Sequence, residues 1–267
     1  MEKRKISIAI ITYNEEKNIK DCLESVKWAD EVVVVDGFSK DKTRKIAIEL
    51  GARVIKTVNK PFFDTNKNIA IKACRGDWIF LLDADERISP ELAKEIVEEV
   101  NSWGTGKPVA YWVKRKNYFL GRFFRKGGQY PDPVVRLFKR GQAFMPEDTV
   151  HQQLEIKGKT GWLENDLIHL ATPVFSRYLL RERRYAFLEG LQMRDNKVSL
   201  NPFNFVKYLL FRPLKTFFLI FIRCKGFIDG WQGFVFAFFS GLHHAWSFIN
   251  YLKIRIFKKK VNIDKNW

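Results

Sequence analysis

Three acidic residues follow a strongly apolar segment in the first third of the chain. Trp78 to Leu82 is apolar without interruption, and Asp83, Asp85 and Glu86 come directly after it. An uninterrupted apolar run between turn residues predicts a strand that is covered on both faces. In open α/β sheets, ligands bind beyond the carboxyl ends of such strands. Asp83 and Asp85 offer hard oxygen ligands, which predict a Mg²⁺ or Mn²⁺ ion that also contacts substrate phosphates.

An acidic helix cap is the alternative interpretation of Asp83 and Asp85. The helix that follows has a start of its own, because Ser89 is a suitable cap and Pro90 suits the first turn. The two aspartates are therefore not needed as caps, and we favour the metal site.

The segments around this strand alternate between apolar runs and helical periodicity. Strands are predicted at Ile6–Thr12, Val32–Val35, Val54–Ile55 and Trp78–Leu82, with helices between and after them. This is the βαβ pattern, which predicts an α/β fold. We expect a mostly parallel sheet that is covered by helices on both faces.

The formal net charge of +17 limits the classes of partner. A charge of this size attracts nucleic acid, an anionic membrane surface or phosphorylated substrates. The chain has no G-x-G-x-x-G fingerprint, which argues against a dinucleotide oxidoreductase. Residues 13–16 contain no glycine, so they lack the phosphate loop that a nucleotidyltransferase needs after the first strand.

The last quarter of the chain is much richer in phenylalanine than the rest. Of the 24 Phe residues, 13 lie between Phe203 and Phe257. The two long apolar stretches there, residues 203–224 and 227–249, contain charged residues, which are costly at the centre of a bilayer. Amphipathic helices of this composition can instead lie in the membrane interface, and we favour that arrangement over a spanning hairpin or a soluble core.

The cysteines and the N-terminus bear on the compartment. Cys22, Cys74 and Cys224 are scattered, with neither zinc-like nor disulfide spacing, which fits a reducing cytosol. Residues 1–5 lead directly into the first strand without a signal-peptide pattern. We therefore expect a peripheral or monotopic protein on the cytoplasmic side of the inner membrane.

Several motifs in order along the chain carry a family resemblance. They are Thr12-Tyr13-Asn14-Glu15, Asp36, Lys67-Asn68 and Asp83-Ala84-Asp85. Together they resemble the family-two inverting glycosyltransferases of the GT-A fold. Val150-His151, residues 181–185 and the segment Gly226 to Gly230 are similar to the branch that includes bacterial lipopolysaccharide inner-core glucosyltransferases.

The resemblance implies roles for individual residues in binding a nucleotide sugar. Thr12, Tyr13 and Glu15 are expected to line the nucleoside pocket, and Asp36 to accept a hydrogen bond from the base or ribose. Lys67 is expected near the diphosphate. Asp83 and Asp85 take the DxD role, with Asp85 as the closest ligand of a Mg²⁺ or Mn²⁺ cofactor. Charge on the departing nucleoside diphosphate is what such a metal and a cation stabilise.

Inversion also requires a general base to remove a proton from the acceptor hydroxyl. Asp148 is the favoured candidate, and Glu147 beside it resembles the acidic pair that supplies the base in many relatives. His151 offers an alternative as a base or as a ligand of the metal or diphosphate. Relatives usually carry Glu after that histidine, whereas this chain has Gln152. Asp132 is a further candidate.

A basic stripe is predicted on the helix that begins near Ser176. Arg177, Arg181 and Arg184 fall at i, i+4 and i+7, and Tyr185 follows. We interpret the stripe as a site for lipid phosphate or acceptor phosphate, with a solvated helix face as the alternative.

The domains and the function follow from these observations. We predict a GT-A domain over residues 1–172, with a nucleotide-binding half (1–103) and an acceptor half (104–172), and a helical membrane-interface region over 173–267. The predicted enzyme transfers one hexose from a nucleotide sugar, expected to be a UDP-sugar, to a membrane glycolipid such as lipopolysaccharide core. We expect contact with an anionic membrane surface and no nucleic acid. The alternatives are a polyisoprenyl-linked acceptor, or a non-enzymatic protein that binds membrane or nucleic acid.

Overall fold

The computed structural model describes residues 3–57, 63–146, 153–172 and 174–257. The chain divides into two compact units. The sheet unit consists of residues 1–116 and 131–171, and the helical unit of residues 117–130 and 172–267. The domain boundary expected after residue 172 stays a prediction, and residues 117–130 group with the C-terminal helices.

The strands are numbered in chain order. They are β1 (Ile6–Thr12), β2 (Glu31–Asp36), β3 (Arg53–Lys56), β4 (Trp78–Asp83), β5 (Glu86–Arg87), β6 (Ala110–Phe119), β7 (Arg122–Phe123), β8 (Asp132–Lys139), β9 (Ala143–Phe144), β10 (Glu155–Ile156), β11 (Thr160–Trp162) and β12 (Leu167–Thr172). The main sheet has the order β3-β2-β1-β4-β8-β6-β12-β5. Strands β9 and β10 form a separate pair.

The first four strands of this order run parallel, and their carboxyl ends lie side by side. In the register of β1, Thr12 pairs with Asp36 of β2, and Ile11 pairs with Asp83 of β4. Beyond β4 the sheet becomes mixed, because β8 is antiparallel to both β4 and β6. The predicted α/β class is confirmed, and the first four strands along the chain form a parallel sheet.

Helices cover both faces of the sheet, as predicted. In the sheet unit they are α1 (Ile19–Glu24), α2 (Thr43–Glu49), α3 (Phe63–Ala73) and α4 (Pro90–Ser102). Residues of α1, α2 and α4 pack on one face with Ile8 and Phe80, whereas α3 packs on the other with Ala9 and Leu81. Ser89 caps α4 by accepting a hydrogen bond from the backbone N–H of Leu92. That cap is the one predicted, and it leaves Asp83 and Asp85 for other roles.

The helical unit contains the Phe-rich region. Its helices are α5 (Phe175–Asp195), α6 (Pro202–Val206), α7 (Arg212–Phe218) and α8 (Gly230–Phe257). Two π-helical turns, Lys207–Phe211 and Leu219–Arg223, flank α7, and a 3-10 turn, Gly226–Asp229, leads into α8. Tyr208 and Phe248 stack in its core at 5.0 Å between ring centroids. Within the described ranges, no helix is both long and apolar enough to cross a membrane.

Candidate active site

The ends of three neighbouring parallel strands form the centre of the candidate site. Thr12 ends β1, Asp36 ends β2 and Asp83 ends β4. The Thr12 hydroxyl is buried and makes no hydrogen bond within the described part of the chain. A buried polar atom without a partner costs free energy unless a ligand or water supplies one. The edge at which ligands bind in such sheets therefore carries an unused hydroxyl.

The loops that follow β1 and β2 hold each other in place. Asn14 has a positive φ of 54°, a conformation that Asn tolerates better than most residues. Its backbone N–H donates to the Ser39 hydroxyl at 2.9 Å, and its side-chain oxygen accepts from the Lys40 N–H at 2.8 Å. The N–H of Glu15 donates to the Thr43 hydroxyl at 2.8 Å. These bonds fix Tyr13 and Glu15, two of the predicted donor residues, beside the end of β1.

Asp36 is more deeply placed than its predicted role suggests. Its carboxylate is fully buried and accepts from the backbone N–H of Ser39 at 3.2 Å. The Arg44 guanidinium lies 3.6 Å away. Asp36 thus orders the loop after β2, while the expected hydrogen bond to the base or ribose stays a prediction.

Asp83 is bound by a buried arginine. The Nη2 atom of Arg136, on β8, lies 2.6 Å from Asp83 Oδ2. Burial by itself raises the pKa of Asp83, but the positive charges of Arg136 and Lys67 outweigh it and hold that pKa well below its ordinary value. Asp83 is therefore ionised at neutral pH.

Glu86 shares the same guanidinium. Arg136 Nη2 lies 2.5 Å from Glu86 Oε1, and the other carboxylate oxygen of Glu86 accepts from the backbone N–H of Asp83 at 2.9 Å. Burial, followed by the negative charge of Asp83, raises the pKa of Glu86, with Arg136 opposing both effects. Arg115 adds a second cation at 3.7 Å from Glu86. The buried Arg136 therefore holds both Asp83 and Glu86, and the partly buried Arg115 adds positive charge beside Glu86.

Asp85 faces a histidine of another strand. Strand β12 pairs antiparallel with β5, which places His169 opposite Glu86. The His169 Nε2 atom lies 3.6 Å from Asp85 Oδ2, and the backbone N–H of Leu170 donates to the Asp85 carbonyl at 2.9 Å. Within the described ranges, no group of three or more His, Cys, Asp or Glu side chains is arranged to hold a metal ion. Among the described residues, Asp85 and His169 thus supply two candidate ligands.

Helix α3 carries the predicted Lys67 and its neighbour Asn68. The positive charge of Lys67 adds to that of Arg136 in lowering the pKa of the Asp83 carboxyl. The Asn68 side chain is buried and makes two hydrogen bonds to the backbone of Met145, donating to its carbonyl at 2.8 Å and accepting from its N–H at 3.0 Å. The segment that ends at Met145 is therefore fixed to the helix that carries Lys67.

The favoured base candidates come directly after this anchored segment. Glu147, Asp148 and His151 lie outside the described residues. The further candidate Asp132 is described, and its carboxylate forms an ion pair with Arg115 at 2.7 Å. A guanidinium partner at that distance favours the ionised carboxylate and occupies one of its oxygens.

The basic stripe is formed on α5 of the helical unit. Arg177, Arg181, Arg184 and Tyr185 are all exposed, and Arg181 also donates to the Thr172 hydroxyl at 2.8 Å. Exposure at successive turns fits a surface that meets an anionic partner, and it equally fits a solvated helix face. The phosphate-binding role stays a prediction.

Four charged residues of the site have no role in the sequence-based prediction. They are Glu86, Arg115, Arg136 and His169. Arg136 gives the clearest signal, because it interrupts the apolar run Val134 to Phe138 that forms β8. A charged residue inside a buried strand needs a buried partner. The sequence does not reveal which acid that partner is, since Asp83 and Arg136 are distant along the chain.

Comparison with known proteins agrees with this geometry. The family model of Glycosyl transferase family 2 matches residues 7–151, more than half of the chain. The lipopolysaccharide core biosynthesis glycosyltransferase LpsC of Rhizobium meliloti (strain 1021) is 28% identical over 249 residues, which cover 88% of this chain and 90% of that protein. The uncharacterized glycosyltransferase RT0209 of Rickettsia typhi is 30% identical over 244 residues, which cover 87% of this chain and 81% of that protein.

A solved structure also shows a partial likeness. Glucosyl-3-phosphoglycerate synthase from Mycobacterium tuberculosis, in complex with Mn²⁺, uridine diphosphate and glucosyl-3-phosphoglycerate, is 26% identical with a TM-score of 0.36. The match covers 43% of this chain and 44% of that one. The family model and the near full-length relatives are what settle the classification: this chain is a glycosyltransferase of family 2.

Proposed function

We propose that this enzyme is a metal-dependent, inverting transferase that moves one hexose from a UDP-sugar to a membrane glycolipid, such as lipopolysaccharide core. The observation that carries the proposal is the shared carboxyl edge of β1, β2 and β4, which brings Thr12, Asp36 and Asp83 together. Asp85 and His169 face each other beside Asp83. Family membership makes the non-enzymatic alternative untenable.

The donor residues act mainly by position and charge. Thr12 offers an unused buried hydroxyl to the nucleoside, and the interlocked loops after β1 and β2 hold Tyr13 and Glu15 for the same purpose. Lys67 stabilises the diphosphate. Losing one such electrostatic partner of a transition state commonly lowers the rate by ~10²–10³.

A divalent cation fits the residues that are present, provided that the substrate completes its coordination. Asp85 and His169 would hold it, with Asp83 beside them fixed by Arg136. Mg²⁺ is commonly held by one or two carboxylates together with substrate phosphates, so two protein ligands suffice. When bound, the ion neutralises charge that develops on the leaving nucleoside diphosphate.

Asp148 is proposed as the base that removes the proton of the acceptor hydroxyl, with Glu147 and His151 as the other candidates. The two hydrogen bonds between Asn68 and Met145 support this assignment, because they tether the chain just before these residues to the helix that carries Lys67. A base acts at the reacting atoms, so its loss is expected to lower kcat by ~10²–10⁴ without weakening nucleotide binding.

A lipid acceptor at the cytoplasmic face of a membrane accounts for the surface of the helical unit. Large apolar side chains are exposed along residues 203–238, including Phe203, Phe211 and Phe218. The relative LpsC is named for lipopolysaccharide core biosynthesis, which favours that acceptor over a polyisoprenyl-linked one. An enzyme of this kind would bind peripherally to an anionic membrane surface.

The test separates donor binding from chemistry. We would measure thermal unfolding of the purified protein with UDP, GDP, CDP and TDP, each with and without Mn²⁺, together with turnover of UDP-sugars. Ligand at ~100 times its Kd stabilises a protein by about 2.7 kcal/mol. We expect stabilisation by UDP alone among the four, dependent on Mn²⁺ and lost in Asp85→Asn. Asp148→Asn should keep that stabilisation and lose turnover.

Other outcomes are equally informative. Stabilisation by a different nucleotide would replace UDP as the donor class. Stabilisation that ignores Mn²⁺ would contradict the role of Asp85 and His169. Full turnover in Asp148→Asn would exclude Asp148, and Glu147→Gln and His151→Gln would then decide between the other two candidates.

A further inference from the structure

A basic loop of the helical unit is fixed to the turn before α8 by one buried carboxylate. Asp229 is fully buried, and its oxygens accept from the backbone N–H groups of Arg125 at 2.9 Å and Lys126 at 3.0 Å. The next N–H, that of Gly127, donates to the Cys224 carbonyl at 2.9 Å. Three consecutive backbone groups are therefore held, while the side chains of Arg125 and Lys126 stay exposed.

The cations of this loop have no anionic partner inside the described parts of the chain. Arg122, Arg125 and Lys126 are exposed, and none of the described ion pairs includes them. Arg122 donates to the Ile228 carbonyl at 3.1 Å, which keeps its guanidinium beside the same turn. Uncompensated positive charge held on a fixed backbone is suited to binding an anion.

The turn that anchors the loop also exposes large apolar side chains. Phe227 is 50% exposed and Trp231 is 62% exposed. Aromatic residues next to Lys and Arg are typical of segments that lie at a membrane surface, where the rings enter the interface and the cations meet headgroups. Charge and apolar surface therefore point to the same kind of partner.

We propose that residues 121–128 form a binding site for the phosphate groups of an anionic phospholipid bilayer, with Asp229 as its positioning residue. The proposal rests on the membrane part of the proposed function and assigns that contact to particular residues. Asp229 acts through the backbone, because it aligns adjacent residues so that both cations are presented together. Phe227 and Trp231 add an apolar contact beside them.

The test measures binding of the full chain to phosphatidylcholine vesicles with and without phosphatidylglycerol, in the absence of donor and metal. Each cation close to an anionic surface contributes about fivefold to binding. Arg125→Gln with Lys126→Gln should therefore weaken binding to the phosphatidylglycerol vesicles by roughly 25-fold. The matched control is Lys197→Gln with Lys253→Gln, which removes two exposed cations elsewhere in the helical unit. It should change binding less than about twofold if the loop is the site.

Asp229→Asn gives the sharper result. It makes the protein one unit more positive, so general electrostatic attraction predicts tighter vesicle binding. Loss of loop positioning predicts weaker binding, which is what we expect. Equal weakening in the control pair, or tighter binding by Asp229→Asn, would overturn the site. UDP-sugar turnover with a soluble acceptor needs no vesicle. A negative vesicle-binding result would therefore leave the sugar-transfer proposal intact, and a lack of turnover would leave the vesicle-binding result intact. Should Asp229→Asn not fold, the two exposed double variants still decide the question.

Discussion

Arg136 has no role in the sequence-based prediction, yet it contacts Asp83, one of the predicted metal ligands. It binds Asp83 and Glu86 through one nitrogen atom, and its own surroundings are buried. Two carboxylates that close cannot both stay ionised without such a cation. Arg136 therefore fixes the position and charge of the first aspartate of the DxD motif.

We expect Arg136→Met to destabilise the protein by ~3–5 kcal/mol, because breaking a buried ion pair leaves uncompensated charge in the interior. Chemical denaturation of the whole chain measures this. Arg140→Met, at an exposed position just after the same strand, is the matched control and should change stability by less than ~0.5 kcal/mol. Adding Glu86→Gln to Arg136→Met should restore part of the loss, since it removes the repulsion with Asp83. Equal losses of stability in Arg136→Met and Arg140→Met would contradict a stabilising role for the ion pairs of Arg136 with Asp83 and Glu86.

The sequence draws attention to Asp83 and Asp85 because their signal is local: two closely spaced acids at the end of one apolar strand. His169 and Arg136 gave no comparable signal. Their partners come from strand pairings between distant parts of the chain, β12 with β5 and β8 with β4. Register across such pairs is decided by tertiary packing, which a single sequence does not display.

The bounds of the secondary-structure elements are predicted well only where the apolar pattern is local and buried. Strand β1 has the predicted bounds, because it is buried except at Ile11 and ends at a loop. Strand β6 runs from Ala110 to Phe119, well beyond its apolar start, and its charged second half is only partly buried. In the helical unit the predicted break between two Phe-rich stretches falls at Lys225 and Gly226, where Lys225 has a positive φ of 57°. Apolar patterns thus locate the buried core of an element more reliably than its ends.

Helices α5 and α8 are joined by a histidine that lies between two acids. His243 on α8 contacts Glu182 at 3.1 Å and Glu189 at 3.0 Å, both on α5. Burial works against the charged imidazole, but these two carboxylates outweigh it and raise the pKa of His243 to about 9. His244 beside it has a lowered pKa, caused by burial and by the charges of Arg212 and His243.

This arrangement predicts how stability depends on pH. The folded pKa of His243 lies above its ordinary value of 6.5, so its contribution is complete below pH 6.5 and is lost as the pH rises through about 9. The contribution is up to about 3 kcal/mol at 1.36 kcal/mol per pKa unit. His244 acts in the opposite direction and below pH 6.5, because its folded pKa is lowered. The pH ranges over which His243 and His244 affect stability therefore do not overlap.

The measurement is the free energy of unfolding from pH 6.5 to pH 10 for the natural protein and for His243→Gln. The natural protein should be more stable at the lower pH, and the difference between the two should shrink as the pH rises. His244→Gln serves as the control and should keep the loss of stability seen in the natural protein. A difference that stays constant over this range would mean that folding does not raise the pKa of His243.

At the scale of the whole molecule, the candidate donor-site residues and most of the exposed large apolar side chains belong to different units. The described acids and cations of the candidate donor site belong to the sheet unit. Apart from Phe38, Ile48, Phe144 and Trp162, the exposed large apolar side chains among the described residues belong to the helical unit. The whole chain carries a formal net charge of +17. The composition of the chain indicates this division, but it does not indicate which cations meet a membrane and which meet the acceptor.

Variants of the stripe of Arg177, Arg181 and Arg184 on α5 can show whether these cations bind the acceptor or the membrane surface in the complete enzyme. We expect Arg177→Gln with Arg184→Gln to raise the KM for a lipid-linked acceptor on the order of 10-fold at unchanged kcat, because exposed cations stabilise bound acceptor and transition state alike. The KM for the UDP-sugar should not change. If vesicle binding falls while the KM for a detergent-solubilised acceptor is constant, the stripe serves the membrane instead. If neither quantity changes, the stripe is a solvated helix face, and Tyr185 beside it has no acceptor to contact.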